Sequence, residues 1–299
     1  MALAALRNLT VAFVGDSLMG EMQTLAQCLL PLGGAPAFAL NLVPDRASLA
    51  RLLRTALAAA DVVVFNFGLW YNFEPAAAII PEIPTGLDEG LVPKLVEACL
   101  ERGLAEGGSL GRACRTAECM RAPVEPEQHV AYAFRRRRCA GASGSDAYIS
   151  DLMRFASTLR AVASEKPRWR ASRLIWREST PQHYATPSGF FPTSRNASWP
   201  SAGGCVPIKE YLKPLARARN HFADLVLAPL LRAPPNAPAR LERMGTWDFD
   251  LAHHSQHPYG KRNKIKPTAR TMDDCSHFCL HSDVTGRWLE ALVATLVST

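Results

Sequence analysis

Apolar positions recur along the chain in two alternating rhythms. Short runs rich in β-formers, at 9–14, 37–43, 61–65 and around 174–176, read as buried strands. Between them, 18–30, 47–60, 91–102, 148–163, 211–231 and 285–297 carry the apolar spacing or the Ala/Leu/Arg content of helices. A fifth strand is expected at 244–249. The first helix should stop at Pro31 and Gly33-Gly34, and the helix over 211–231 should break at Pro214. Strand and helix in alternation predict an α/β fold, three layers α/β/α around a mostly parallel sheet. The segment 107–146 is rich in Gly, Arg and Cys without periodicity and reads as a surface insertion. A Pro/Ser/Gly-rich loop is expected over 180–207. No internal repeat is visible, and 1–299 reads as one domain.

Composition narrows this little. A hydrophobic content of 48% in 299 residues is ample for a large core, and no run is apolar and long enough to span a bilayer. The net charge of +7 permits an anionic partner without requiring one. The basic runs Arg135-Arg136-Arg137-Arg138 and Lys261-Arg262-Asn263-Lys264 lack the interleaved aromatics of a recognition motif, so no nucleic-acid partner is expected. The eight cysteines include pairs at 114/119 and 275/279 that could suggest a metal. Neither pair has the neighbouring histidines usual in zinc sites, so disulfides are the better reading and no metal or cofactor is expected. Cys205 is expected to bridge to Cys275 or Cys279.

The candidate chemistry lies at the two ends of the chain. The first strand runs into Gly15-Asp16-Ser17, a sharp turn that leads into a helix and exposes the serine. A serine hydroxyl is a poor nucleophile without a histidine to take its proton and a carboxylate to hold that imidazole. Asp274-Cys275-Ser276-His277 supplies both, with His277 as general base and Asp274 as orienting acid. Asp273 competes for the acid role, but Asp274 has the three-residue spacing that lets one turn present both groups. Ser17 could instead simply cap the helix. Asn66, at the end of the third strand, is a candidate oxyanion donor beside the Ser17 amide, and Gly68 would permit close backbone approach. Asn and Gly are also ordinary turn residues. Arg177 and His183, by the fourth strand's end, are candidate substrate-site residues, with structural roles as the alternative. Trp70, Tyr71 and Trp199 could stack on sugar rings or pack in the core. In open α/β sheets ligands bind at the carboxyl ends of strands, where Ser17, Asn66 and the loop from Glu178 should all fall.

Further blocks accompany these: Asn66-x-Gly68-x-Trp70, Thr180-Pro181-Gln182-His183-Tyr184, Trp199 with Gly203-Gly204-Cys205, and Asp274 to Leu280 with Trp288 beyond. Together they resemble the trichome-birefringence-like, PC-esterase-type polysaccharide O-acetyltransferases of the GDSL/SGNH hydrolase superfamily, over nearly the whole chain. The resemblance implies a Ser17–His277–Asp274 triad that passes an acetyl group, through a serine acyl-enzyme, to a polysaccharide or oligosaccharide hydroxyl. An acyl donor of unknown identity would be the co-substrate. It implies disulfides and a Golgi or secretory setting. Relatives usually have a membrane anchor and a cysteine-bearing segment ahead of the first block. This chain shows neither and no signal peptide, which leaves Cys28 without its expected partner. Gly20 stands where relatives tend to have arginine, and only Gly33 or Gly34 offers itself as the superfamily's separate oxyanion glycine. A carbohydrate esterase using the same triad is the alternative, followed by a catalytically silent glycan-binding protein.

Overall fold

The computed structural model describes residues 6–41, 43–69, 71, 144–165, 169–171, 173–184, 205–208, 213–258, 274–280 and 282–298. The helix expected at 91–102, all but the last three residues of the 107–146 insertion, Trp70, Trp199, Gly203, Gly204, Asp273, both basic runs, Cys99, Cys114, Cys119 and Cys139 lie outside them.

Five strands form one sheet: β1 (Val11–Gly15), β2 (Ala37–Ala39), β3 (Val62–Asn66), β4 (Arg173–Arg177) and β5 (Leu241–Met244). Their order is β2-β1-β3-β4-β5 and every pair is parallel. Alternate side chains on each strand enter different cores, as the two-residue period of a sheet requires. Ala12, Val14, Val63, Phe65, Leu174, Trp176 and Leu241 pack under α2 (Arg46–Ala59), α3 (Gly144–Glu165), α4 (Lys213–Val226) and α5 (Ala228–Leu231). Val11, Phe13, Val62, Val64, Ile175 and Met244 face α1 (Ser17–Leu29) and α7 (Asp283–Val297). This is the three-layer α/β/α arrangement with a parallel sheet. Both faces of the sheet are covered, so its strands read as continuous apolar runs. Among the described residues, no helix is long and apolar enough to cross a membrane.

Some boundaries differ from the sequence reading, among them the second strand, which ends at Ala39 and not at 43. The fifth strand covers Leu241–Met244, and Trp247–Ala252 is a helix, α6. The Glu178 carboxylate, from the end of β4, accepts hydrogen bonds from the Thr246 and Trp247 amides at 2.9 and 3.0 Å and so starts that helix. The long helix over 211–231 breaks at Leu227, between α4 and α5, and not at Pro214. Pro214 is the second residue of α4, where a missing N–H costs nothing.

β1 is flanked by β2 on one side and β3 on the other, and the helices that follow β1 and β2 cover opposite faces. The crevice between the carboxyl ends of β1 and β3 is therefore the topological switch point, the usual ligand position in such sheets.

Candidate active site

β1 ends at Gly15, and a Cβ there would lie 1.9 Å from the Asn66 carbonyl oxygen, so only glycine lets β1 and β3 close at this point. Asp16 follows, buried, and caps α1: its Oδ1 accepts from the Leu18 amide at 3.2 Å. Its Oδ2 accepts from the Leu69 amide at 3.1 Å, tying the turn after β1 to the turn after β3. Burial pushes the Asp16 carboxyl up, and these two backbone donors work against it. With Asp16 as the cap, Ser17 becomes the first residue of α1 and its side chain is left exposed.

The Ser17 hydroxyl meets His277 although 260 positions separate them, with Oγ 2.6 Å from Nε2. His277 Nδ1 lies 2.8 Å from Asp274 Oδ2. Asp274 Oδ1 accepts from the amides of Ser276 and His277, both at 3.2 Å, so the turn itself aims the carboxylate. With Nδ1–H donating to Asp274, Nε2 is the free base facing the hydroxyl.

The loop that carries this dyad is fastened from several directions. A Cys205–Cys275 disulfide, with Cα atoms 5.3 Å apart, joins it to the segment around 205. His183 donates its amide to the Cys275 carbonyl at 3.0 Å, and its own carbonyl accepts from Val206 at 2.9 Å. Gln182 Nε2 donates to Ser276 Oγ at 2.9 Å, and that hydroxyl donates to Tyr184 Oη at 3.2 Å. Cys279 donates its amide to the Gln256 carbonyl at 2.9 Å. Cys28 and Cys279 are free thiols.

Of the other candidate residues, Asn66, Arg177, His183 and Tyr71 are buried in the fold. Asn66 is buried, and its amide nitrogen donates to the Arg177 carbonyl at 2.9 Å and to Ser179 Oγ at 3.2 Å. Both amide protons are thus turned into the fold, which corrects the expectation of an Asn66 oxyanion donor. The partner carbonyl also fixes the amide's orientation, since the reverse would set two oxygens together. Gly68 has a φ of 150°, and a Cβ there would lie 3.2 Å from Ser179 Oγ and 3.3 Å from the Tyr148 ring. Its role is to let the turn after β3 close against these side chains. Arg177 is wholly buried: its guanidinium lies 4.1 Å above the Trp288 ring and 4.0 Å from Asp250 Oδ2. It offers no surface to a substrate, and burial pushes its pKa down. His183 is likewise fully buried and bonded to His257, so it is a support of the loop and not a substrate contact. Tyr71 also packs in the core. Gly33 and Gly34 pair with Leu9 and Val11 at the start of β1, the opposite end of the sheet from Ser17, which removes both as oxyanion candidates.

His257 was not among the residues singled out from sequence. The signal was the histidine-rich stretch His253-His254-Ser255-Gln256-His257. Among the described residues, no group of three or more His, Cys, Asp or Glu side chains is arranged to hold a metal ion. The chain matches no model of a known protein family and no curated protein.

Proposed function

We propose that this chain is a serine acyltransferase that moves an acetyl group to a hydroxyl of a polysaccharide. The observation that supports this best is the unbroken line from the exposed Ser17 hydroxyl through His277 to Asp274, at 2.6 and 2.8 Å, at the switch point of a parallel sheet. Ser17 Oγ attacks the carbonyl carbon of the acyl donor while His277 Nε2 takes its proton. Asp274 accepts the Nδ1–H bond and stabilises the imidazolium. The Ser17 amide, at the amino end of the 13-residue α1 and with the helix dipole behind it, would donate to the developing oxyanion. The imidazolium then protonates the leaving group, and a sugar hydroxyl, deprotonated by His277, attacks the ester; the acyl–Oγ bond breaks and His277 returns the proton to Ser17 Oγ. The acetyl group and the saccharide come from the motif resemblance; the triad geometry speaks for acyl transfer as such.

The exposure of Ser17 also favours a second reading, in which water takes the place of the sugar and the protein is a carbohydrate esterase. Incubation with an acetyl donor and, separately, with acetylated or plain glycans, followed by mass spectrometry, decides between them. Acetyl gained by plain glycan and lost in a Ser17→Ala variant is the expected result. Acetyl lost from acetylated glycan alone would select the esterase. Glycan binding without either change would select a silent binding protein and overturn the proposal.

A further inference from the structure

Behind His277 lies a pair of imidazoles that the acyl-transfer scheme does not use. His183 and His257 are 0% and 1% exposed, and their inner nitrogens, His183 Nδ1 and His257 Nε2, are 2.7 Å apart. Each outer nitrogen faces a carbonyl. His183 Nε2 is 3.3 Å from the Leu251 oxygen, and His257 Nδ1 meets the oxygen of His277 itself. A carbonyl only accepts, so both outer nitrogens must carry protons. A neutral imidazole protonated on its outer nitrogen has a bare inner one, and two bare lone pairs repel. The three contacts together therefore need three protons, one more than two neutral rings carry.

We propose that His183 and His257 are a proton-linked positioning pair: His257 Nδ1 donates to the His277 carbonyl and so holds that backbone for its work with Ser17, and one added proton, shared between the inner nitrogens, closes the third contact. The proposal rests on the reading of Ser17, His277 and Asp274 as the reacting groups. Several neighbours act on the shared proton. Burial and the neighbouring His257 push His183 down, to about 3, with His254 and His253 adding to it while the Leu251 carbonyl opposes it. Burial also pushes His257 down, to about 4, with His277 and His254 adding to it while the His277 carbonyl and the Asp274 carboxylate oppose it. Phe278, stacked on His257 at 4.2 Å, keeps water from one face. As pH falls the pair gains its proton and tightens. As pH rises the inner contact opens, and the strain passes along His183 to Cys275 and Val206, which its backbone joins.

Ring-nitrogen NMR on the whole chain, from neutral pH into acid, reads the pair directly. The expected result is one proton taken up jointly by rings 183 and 257, in a step separate from that of His277. Kinetics reads the consequence. His257→Phe removes the donor to the His277 carbonyl and should lower kcat about 10–100-fold with little change in KM, as a displaced catalytic group does. His257→Asn returns a donor near the Nδ1 position and should recover kcat to within about tenfold of the parent. In His183→Asn the amide can donate or accept, so the inner contact no longer depends on a proton. This variant should stay active and lose one limb of the pH–rate profile. Rings that titrate independently or not at all would overturn the proposal, as would a His257→Phe enzyme equal to the parent or an unaltered profile in His183→Asn. If the parent moves no acyl group, the acyl reading fails, and the NMR arm alone judges the pair.

Discussion

Asn66 ends β3 with its amide turned inward, joining Arg177 and Ser179 across 111 and 113 positions of sequence. Removing it leaves a buried carbonyl and a buried hydroxyl short of a donor. Asn66→Ala should therefore lower unfolding free energy by about 1–3 kcal/mol in urea titrations. Activity per folded molecule should fall less than the roughly 10²–10³-fold in kcat that loss of an oxyanion donor causes. A larger loss with unchanged stability would restore Asn66 to the oxyanion site. The residue type and strand end were visible in sequence, but the direction of the side chain was not. It is set by a carbonyl on a different strand, which no local pattern contains. The same holds for Arg177: its place beside the sheet was legible, whereas the Trp288 ring that covers it comes from a helix at the far end of the chain.

The elements that hold the His277 loop are the disulfide and the two short segments at 182–184 and 254–258. Cys205 and Cys275 lie 70 positions apart, so their bond removes a large loop-closure entropy from the unfolded chain. Cys205→Ser should cost about 2–4 kcal/mol of stability, measured by urea unfolding, and the effect should match that of reductant on the parent. If His277 is the base proposed above, the substitution should also lower kcat more than KM, because the disulfide fastens the loop that carries His277. Element existence was largely legible, since two-sided burial makes each strand an apolar run and one-sided burial gives each helix its stripe. The β5–α6 boundary was not. Trp247 and Phe249 look like strand residues, and what makes them helical is the Glu178 carboxylate, 69 positions from Trp247 in sequence. The meeting of Ser17, His277 and Asp274 was legible because their residue types and spacings are local at both ends of the chain; the fastening around them comes from segments with no such signature.

At the scale of the molecule, parallel strands bring the two ends of the chain together at one edge and leave unusual charges inside. Asp250 is wholly buried against Trp288 and Arg177, and burial pushes its carboxyl up from 3.8 to about 7 despite the guanidinium. A folded state with a raised carboxyl pKa holds more protons than the unfolded chain, so this group's contribution is full below about 4 and is lost as pH rises through about 7. The stability of the parent relative to Asp250→Asn should thus fall across that window, as read from urea unfolding at a series of pH values. A difference that grows with pH would refute it. In the proposed function the fold serves to activate one hydroxyl, and labelling tests this most directly. The folded protein is treated with a fluorophosphonate, and the intact mass and the modified peptide are read. The expected result is one equivalent bound at Ser17, none in Ser17→Ala, and much slower reaction in His277→Ala. Label retained in Ser17→Ala, or a Ser17 that reacts no faster than free serine, would contradict it.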